Sequence, residues 1–291
     1  MPSHTRVLLT GSNGFTGTYV SNELSKNGYK VFALESNLLD LKKLQKELIR
    51  INPEYVIHLA GIPTVYSPSD SLSKLYEVNA IGTGNLLTTL LDSCNKIKKV
   101  IVSSAANIYK EQRKPLLINE KSELMPQNHY ACSKLSMEYI AASFFKFLPI
   151  VITRPFNYYG VNQKKIFLLP KLIDNFNNKK EIVEVGNLNI EREFNDVRDV
   201  SKIYVKLLSS GLESGILNIC SGKTYSIKKV IELLSKLTSH NPQIIVNPNF
   251  VRSNDIAFLA GDPSTLINQL SFNFEYNLEQ TIKWMLDANK N

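Results

Sequence analysis

The sequence predicts an α/β protein: a doubly wound parallel sheet with helices on both faces, followed by a smaller α/β lobe. Three observations carry this. Short β-branched apolar runs alternate with amphipathic helical patterns as far as Thr153. A glycine cluster follows the first run at once. The chain of 291 residues is 43% hydrophobic and 21% charged, which suits one large globular α/β unit or two packed lobes.

Taken in order, Arg6 to Thr10 (RVLLT) reads as a strand and Phe15 to Lys26 as a helix that Gly28 can end. Val31 to Leu34 is the second strand, Leu38 to Arg50 a helix, and Tyr55 to Leu59 the third strand. A long helical pattern, Ser71 to Cys94, precedes strand Val100 to Ser103. Helix Tyr130 to Phe145 precedes strand Ile150 to Thr153. Beyond Arg154 the alternation loosens. Helix Leu169 to Asn178, strands Ile182 to Val185 and Ile216 to Ile219, helix Ser226 to Thr238 and terminal helix Tyr276 to Ala288 are expected, with Ser226 as an N-cap. Residues 1–157 form the expected dinucleotide-binding lobe, to which about 194–210 return. Residues 158–291 form most of a substrate-binding lobe.

Lys and Arg number 34 against 26 Asp and Glu, a net charge of +8. The basic residues are scattered in pairs, without a run or an aromatic-basic stripe, so an anionic metabolite explains them better than nucleic acid. No apolar run has the ~20 residues of a membrane helix, and no leader separates Met1 from the first strand; the expected location is the cytoplasm. The three cysteines, Cys94, Cys132 and Cys220, are far apart, and the four histidines lack zinc spacing. Neither a disulfide framework nor a metal site is expected.

Gly11-Ser12-Asn13-Gly14-Phe15-Thr16-Gly17 is GxxGxxG between a strand and a helix. Gly11 makes the turn, Gly14 lets a pyrophosphate approach the backbone, and Gly17 lets the helix pack on the sheet. Helix N-terminal N–H groups favour the anion. Asn13 and Phe15 belong to the same cofactor-binding loop. Glu35 follows the second strand, where a carboxylate can accept both hydroxyls of an adenine ribose and repel a 2′-phosphate. No arginine lies nearby to receive such a phosphate, so NAD(H) is favoured, with NADP(H) as the alternative; a solvated loop glutamate is the plain reading of Glu35. Asp40, followed by Leu41, suits either an adenine contact or the N-cap of the next helix.

With these segments, the chain resembles the extended short-chain dehydrogenase/reductase family of nucleotide-sugar epimerases, dehydratases and reductases. The resemblance runs through Gly11 to Gly17, Asp40-Leu41, His58-Leu59-Ala60-Gly61, Val78-Asn79, Ser103-Ser104, Tyr130-Ala131-Cys132-Ser133-Lys134 and Arg154-Pro155-Phe156-Asn157. It implies a Rossmann-like lobe holding NAD(P), a lobe for a nucleoside-diphosphate sugar, and a homodimer. It further implies cofactor contacts from Leu59, Ala60, Gly61, Asn79 and Ser103.

Tyr130 and Lys134 are one helical turn apart, on one face. A phenol with an ordinary pKa near ~10 is a poor proton carrier at neutral pH, and a neighbouring ammonium lowers that value. The resemblance makes Tyr130 the proton donor and Lys134 also a holder of the nicotinamide ribose. An ordinary amphipathic helix is the bland alternative. The third catalytic hydroxyl usually stands four residues before a tyrosine matching Tyr109. That position is Ala105, so either Ser104 serves instead or the hydroxyl is missing; Ser104 is the expected catalytic and substrate contact.

In the second lobe the resemblance assigns substrate contacts to Asn157, Arg192, Arg252 and Asp255, arginine forks suiting phosphate; Lys171 either adds charge nearby or is a solvated helix lysine. Asp196 and Asp199 read as packing or helix-capping acids. The whole pattern is most like bacterial 4-keto-6-deoxy-sugar reductases, with GDP or dTDP as the favoured nucleotide. The loop after Ser103 lacks the acid a dehydratase needs. A 4-epimerase uses the same Tyr–Lys pair and is the alternative; a non-catalytic dinucleotide-binding protein is the third reading.

Overall fold

The computed structural model describes residues 5–63, 71–110, 116–250 and 257–288. Its centre is a six-stranded, wholly parallel sheet. β1 (Arg6–Thr10) lies between β2 (Lys30–Ala33) and β3 (Tyr55–His58); β4 (Lys99–Ser103) and β5 (Ile150–Pro155) follow β3. The chain runs outward from β1 to β2, then crosses back to β3. The carboxyl end of β1 is therefore at the switch point where open α/β sheets form their binding crevice.

The strands alternate cleanly between two cores. Val7, Leu9, Ile57, Ile101 and Val151 pack on one side; Leu8, Val56, Val100, Val102, Ile150 and Ile152 pack on the other. Each fully buried side chain of this kind contributes roughly 1.5–3 kcal/mol. On the first face lies α1 (Phe15–Lys26), which begins and ends where expected. On the second lie α2 (Leu41–Ile51), a bent helical stretch, and the helix carrying Tyr130. The bent stretch is α3 (Leu72–Tyr76), a wide turn at Glu77–Ile81, and α4 (Gly82–Ser93), where one continuous helix is expected. Asn79 is inside the wide turn.

α5 (His129–Ser143) begins on Asn128, whose Oδ1 accepts the Ala131 N–H at 2.9 Å. After β5 come β6 (Tyr158–Tyr159), α6 (Leu168–Asn177), β7 (Ile182–Val185), β8 (Glu191–Glu193) and β9 (Asn195–Asp196). The chain then returns to the first lobe for longer than 194–210. α7 (Val197–Leu208) packs on α1, and β10 (Gly215–Ile219) pairs with β5 as the sixth strand. β11 (Thr224–Ser226), α8 (Ile227–Thr238), β12 (Gln243–Val246) and β13 (Phe258–Leu259) belong to the second lobe. Of the last two helices, α9 (Ser264–Leu270) rejoins the first core and α10 (Leu278–Ala288) packs in the second.

Asp196 and Asp199 are the packing and capping acids expected. Asp196 caps α7 through the Arg198 N–H and accepts the Thr281 hydroxyl at 2.7 Å. Asp199 accepts the Glu275 and Tyr276 N–H groups. Among the described residues no helix is long and apolar enough to cross a membrane, and no group of acidic, cysteine and histidine side chains could hold a metal.

Candidate active site

At the glycine corner the geometry leaves no room for side chains. Gly11 has φ +69°, and a Cβ there would lie 2.8 Å from the Ala60 nitrogen. A Cβ on Gly17 would be 2.0 Å from the Gly11 carbonyl oxygen, so only glycine lets α1 sit this close to the β1 turn. Gly14 is the exposed N-cap of α1, with no side chain capping the first turn and no acid within it. The open N–H groups and positive end of the dipole thus face the crevice, which fits a pyrophosphate. Asn13 is exposed at the same mouth. Phe15 stacks on Tyr158 at 6.1 Å, while the Thr16 and Tyr158 hydroxyls share a hydrogen bond of 2.7 Å. The loop is thereby tied to the start of the second lobe.

Glu35 leaves β2 with its side chain exposed, while its own N–H and that of Ser36 are held by Glu47. The backbone that aims Glu35 is thus fixed and its carboxylate is open to a ligand. Asp40 caps α2, accepting the Lys43 N–H at 3.1 Å; that backbone bond holds its carboxyl below the ordinary range. Leu41 is exposed beside it.

Leu59, Ala60 and Gly61 continue β3 beside the corner. A directed chain of hydrogen bonds fixes them. The Ala60 N–H donates to the Thr10 hydroxyl at 3.0 Å, and that hydroxyl meets His58 Nδ1 at 2.7 Å. His58 Nε2 meets the Thr83 hydroxyl at 2.8 Å, which donates to the Asn79 carbonyl at 2.8 Å. Since Thr83 spends its proton on Asn79, His58 carries its hydrogen on Nε2 and accepts from Thr10. Burial keeps it neutral, pulling its pKa down to about 3. The Asn79 amide then clamps Ile62 from both sides and donates to Ser133 on α5 at 3.0 Å.

Lys134 is buried on the same helix. Its Nζ donates to the Ser103 carbonyl at 2.8 Å and is 3.4 Å from where a Gly61 Cβ would stand. Desolvation lowers its pKa to about 8, with Glu138 opposing. Tyr130, half-buried, opens α5 one turn earlier on the same face. Lys134 thus stands where the 59–61 segment and the end of β4 converge.

Ser103 and Ser104 part company at that end. The Ser103 hydroxyl turns to Tyr204 on α7 at 2.8 Å. By strand alternation Ser104 faces the α5 side with Val102. Its N–H donates to the Thr153 carbonyl, and its buried hydroxyl has no hydrogen-bond partner among the described residues. An unpaired buried hydroxyl is costly unless a ligand completes it. Ala105 is buried and brings none. Tyr109, by contrast, is a framework residue: its hydroxyl lies between Arg154 and Asn218.

Of the expected substrate contacts, Asn157 ties β5 to β9, its carbonyl accepting both nitrogens of Asn195. The Lys171 ammonium lies 3.9 Å over the Phe250 ring. Arg192, on β8, pairs in register with Leu259 of β13. Arg252 and Asp255 lie outside the described residues, but Phe250 and β13 flank their segment on either side. An open groove between α8 and β12 shares no residue with this site.

The model of the NAD dependent epimerase/dehydratase family matches residues 7–220. The chain belongs to this family. It is 35% identical over 284 residues to GDP-6-deoxy-D-talose 4-dehydrogenase of Aggregatibacter actinomycetemcomitans, covering 95% of each chain. It is 28% identical to GDP-6-deoxy-D-mannose reductase of Pseudomonas aeruginosa, covering 97% of this chain and 96% of that one. The structure of RMD from Pseudomonas aeruginosa complexed with NADPH superposes with TM-score 0.89 at 26% identity, over 98% of this chain and 97% of that one. A UDP-glucose 4-epimerase of Thermotoga maritima shares the fold at TM-score 0.88 and 22% identity, over 98% and 99%.

Proposed function

We propose that this protein uses NADH or NADPH to reduce the C4 ketone of a GDP-linked 4-keto-6-deoxyhexose, a step of deoxysugar biosynthesis. The carrying observation is the 35% identical relative, whose name joins GDP, a 6-deoxyhexose and redox chemistry at C4; the 28% relative's name joins GDP and a deoxysugar reductase. These names favour GDP over dTDP.

The glycine corner and the α1 N-terminus would hold the pyrophosphate, and Glu35 the adenine ribose. A bound dihydronicotinamide supplies the hydride. Tyr130 gives its phenolic proton to the sugar oxygen as negative charge builds there, a role that contributes ~10²–10⁴-fold. Lys134 stabilises the phenolate left behind. Ser104, with its unspent hydroxyl, holds the same sugar oxygen. Lys171, Arg192 and Arg252 receive the diphosphate, and Asp255 the nucleotide ribose. The assembly works as a homodimer in the cytoplasm.

Purified protein is expected to oxidise reduced cofactor with GDP-4-keto-6-deoxy-mannose, and Tyr130→Phe to cut kcat by ~10²-fold or more. Absence of oxidation with GDP- and dTDP-4-keto-6-deoxy sugars, alongside interconversion of UDP-glucose and UDP-galactose, would assign the epimerase reaction instead.

A further inference from the structure

One helical turn beyond Lys134 on α5 lies a buried ion pair with β5 that the proposed reaction does not use. Glu138 and Arg154 have side chains 5% and 2% exposed. Arg154 Nε donates to Glu138 Oε1 and Oε2 at 3.0 and 3.2 Å, and Nη2 donates to Oε2 at 2.7 Å. The remaining nitrogen, Nη1, donates to the Tyr109 hydroxyl at 2.9 Å and the Glu120 carbonyl at 3.1 Å. The Tyr109 hydroxyl donates to Asn218 Oδ1 at 2.7 Å. The guanidinium is thus fixed by β5, β10 and the segment before α5, and it fixes the carboxylate in turn.

Stability alone does not require such a pair, since well-packed apolar residues of similar volume commonly serve a fold as well or better. Its position suggests another use. Glu138 follows Lys134 by one helical turn, and Lys134 is a buried cation. Several groups face Lys134. From β3 comes His58, held neutral by its hydrogen bonds and burial. From β4 comes the Ser103 carbonyl. From the wide turn comes Asn79, an uncharged amide, and from α5 itself come Met137 and Glu138, with Tyr130 one turn earlier in the helix. Among the described residues Glu138 is the one anion acting on that ammonium.

We propose that Glu138 is a positioning residue for Lys134: clamped by Arg154, it keeps the neighbouring amine charged by its field without drawing it into a direct ion pair. The clamp matters because a free carboxylate one turn away could swing onto Nζ and take it from the Ser103 carbonyl. Held by Arg154, the carboxylate acts on Lys134 only through space. Burial already brings Lys134 to about 8, and Glu138 is what opposes a further fall. The inference rests on Lys134 supporting Tyr130, as the proposed function has it. Its direct consequence, the charge on Lys134, can be read without any substrate.

The test labels lysine with ¹³C at Cε and follows the full-length protein by NMR across pH. One signal should titrate near pH 8 and vanish in Lys134→Met. In Glu138→Gln its midpoint is expected to fall by at least about 0.5 pH unit, which is a roughly threefold lower ratio of ammonium to amine. If that variant does not fold, the neutral pair Glu138→Gln/Arg154→Met keeps the volume and should give a smaller fall in the same direction. An unchanged midpoint in whichever variant folds, with only thermal stability lowered, overturns the proposal. Where a keto-sugar substrate is turned over, the alkaline limb of kcat should move with the NMR midpoint. If no sugar is turned over, the reductase assignment fails while the NMR result still decides this one.

Discussion

Glu35 poses the cofactor question in a single carboxylate. It is exposed at the end of β2 on a backbone anchored by Glu47. A 2′-phosphate placed there would meet like charge, so NADH is the expected preference, although the relative with 26% identity was solved with NADPH. Glu35→Ser is predicted to lower the KM for NADPH several-fold and raise that for NADH, checked by initial rates with each cofactor. His58 gives a second prediction. Its folded pKa is about 3 against an ordinary ~6.5, so the unfolded chain gains a proton between those values that the folded chain refuses. Stability is therefore whole above ~6.5 and falls as pH drops toward 3, by roughly 4 kcal/mol in all. Denaturant unfolding from pH 7 to 4 should show this slope, and His58→Gln should flatten it.

The helix that carries Tyr130 and Lys134 depends on how it starts. Asn128 caps α5, and Tyr130 lies in its first turn. Asn128→Ala is predicted to cost about 1 kcal/mol and to lower kcat, with Asn128→Ser recovering both. Calorimetry and steady-state rates check this. Strands and helices up to β5 were legible because apolar residues alternate at strand spacing and recur at helix spacing, and α1 and β7 match the expected bounds. Where reading by pattern ran short, the cause is physical. β6, β9 and β13 have two residues each, too few for any period to show. The wide turn at Asn79 is imposed by its clamp on Ile62 and Ser133, which are distant in sequence. The glycine corner and the Tyr130–Lys134 spacing announced themselves locally. The His58 relay and the Glu138–Arg154 clamp did not, because their partners meet only in the folded chain.

At the scale of the molecule, the homodimer that the resemblance implies would have to use residues the fold leaves exposed. Leu86, Leu87 and Leu90 are fully buried against their own sheet, so they cannot serve a partner. Ile81 and Leu91 on one helical stretch and Tyr139 on α5 remain exposed. Tyr139→Glu is predicted to convert a dimer to a monomer in light scattering while leaving the isolated fold intact. The lobes are joined by buried Glu193, which accepts the Gly261 N–H at 2.6 Å, the Ser221 N–H at 2.7 Å and the Asn195 amide at 2.8 Å. Burial pushes its carboxyl up and these donors hold it down. The site thus lies between the glycine corner and a lobe fastened to the first by Glu193 together with the Thr16–Tyr158 and Asp196–Thr281 hydrogen bonds. Its central claim is tested most directly by tracing the hydride: NADH deuterated at the transferring position, incubated with GDP-4-keto-6-deoxy-mannose and the protein. The account predicts a GDP-6-deoxyhexose with deuterium at C4, formed one for one with oxidised cofactor and far more slowly by Tyr130→Phe. Product without deuterium at C4, or undiminished turnover by that variant, would contradict it.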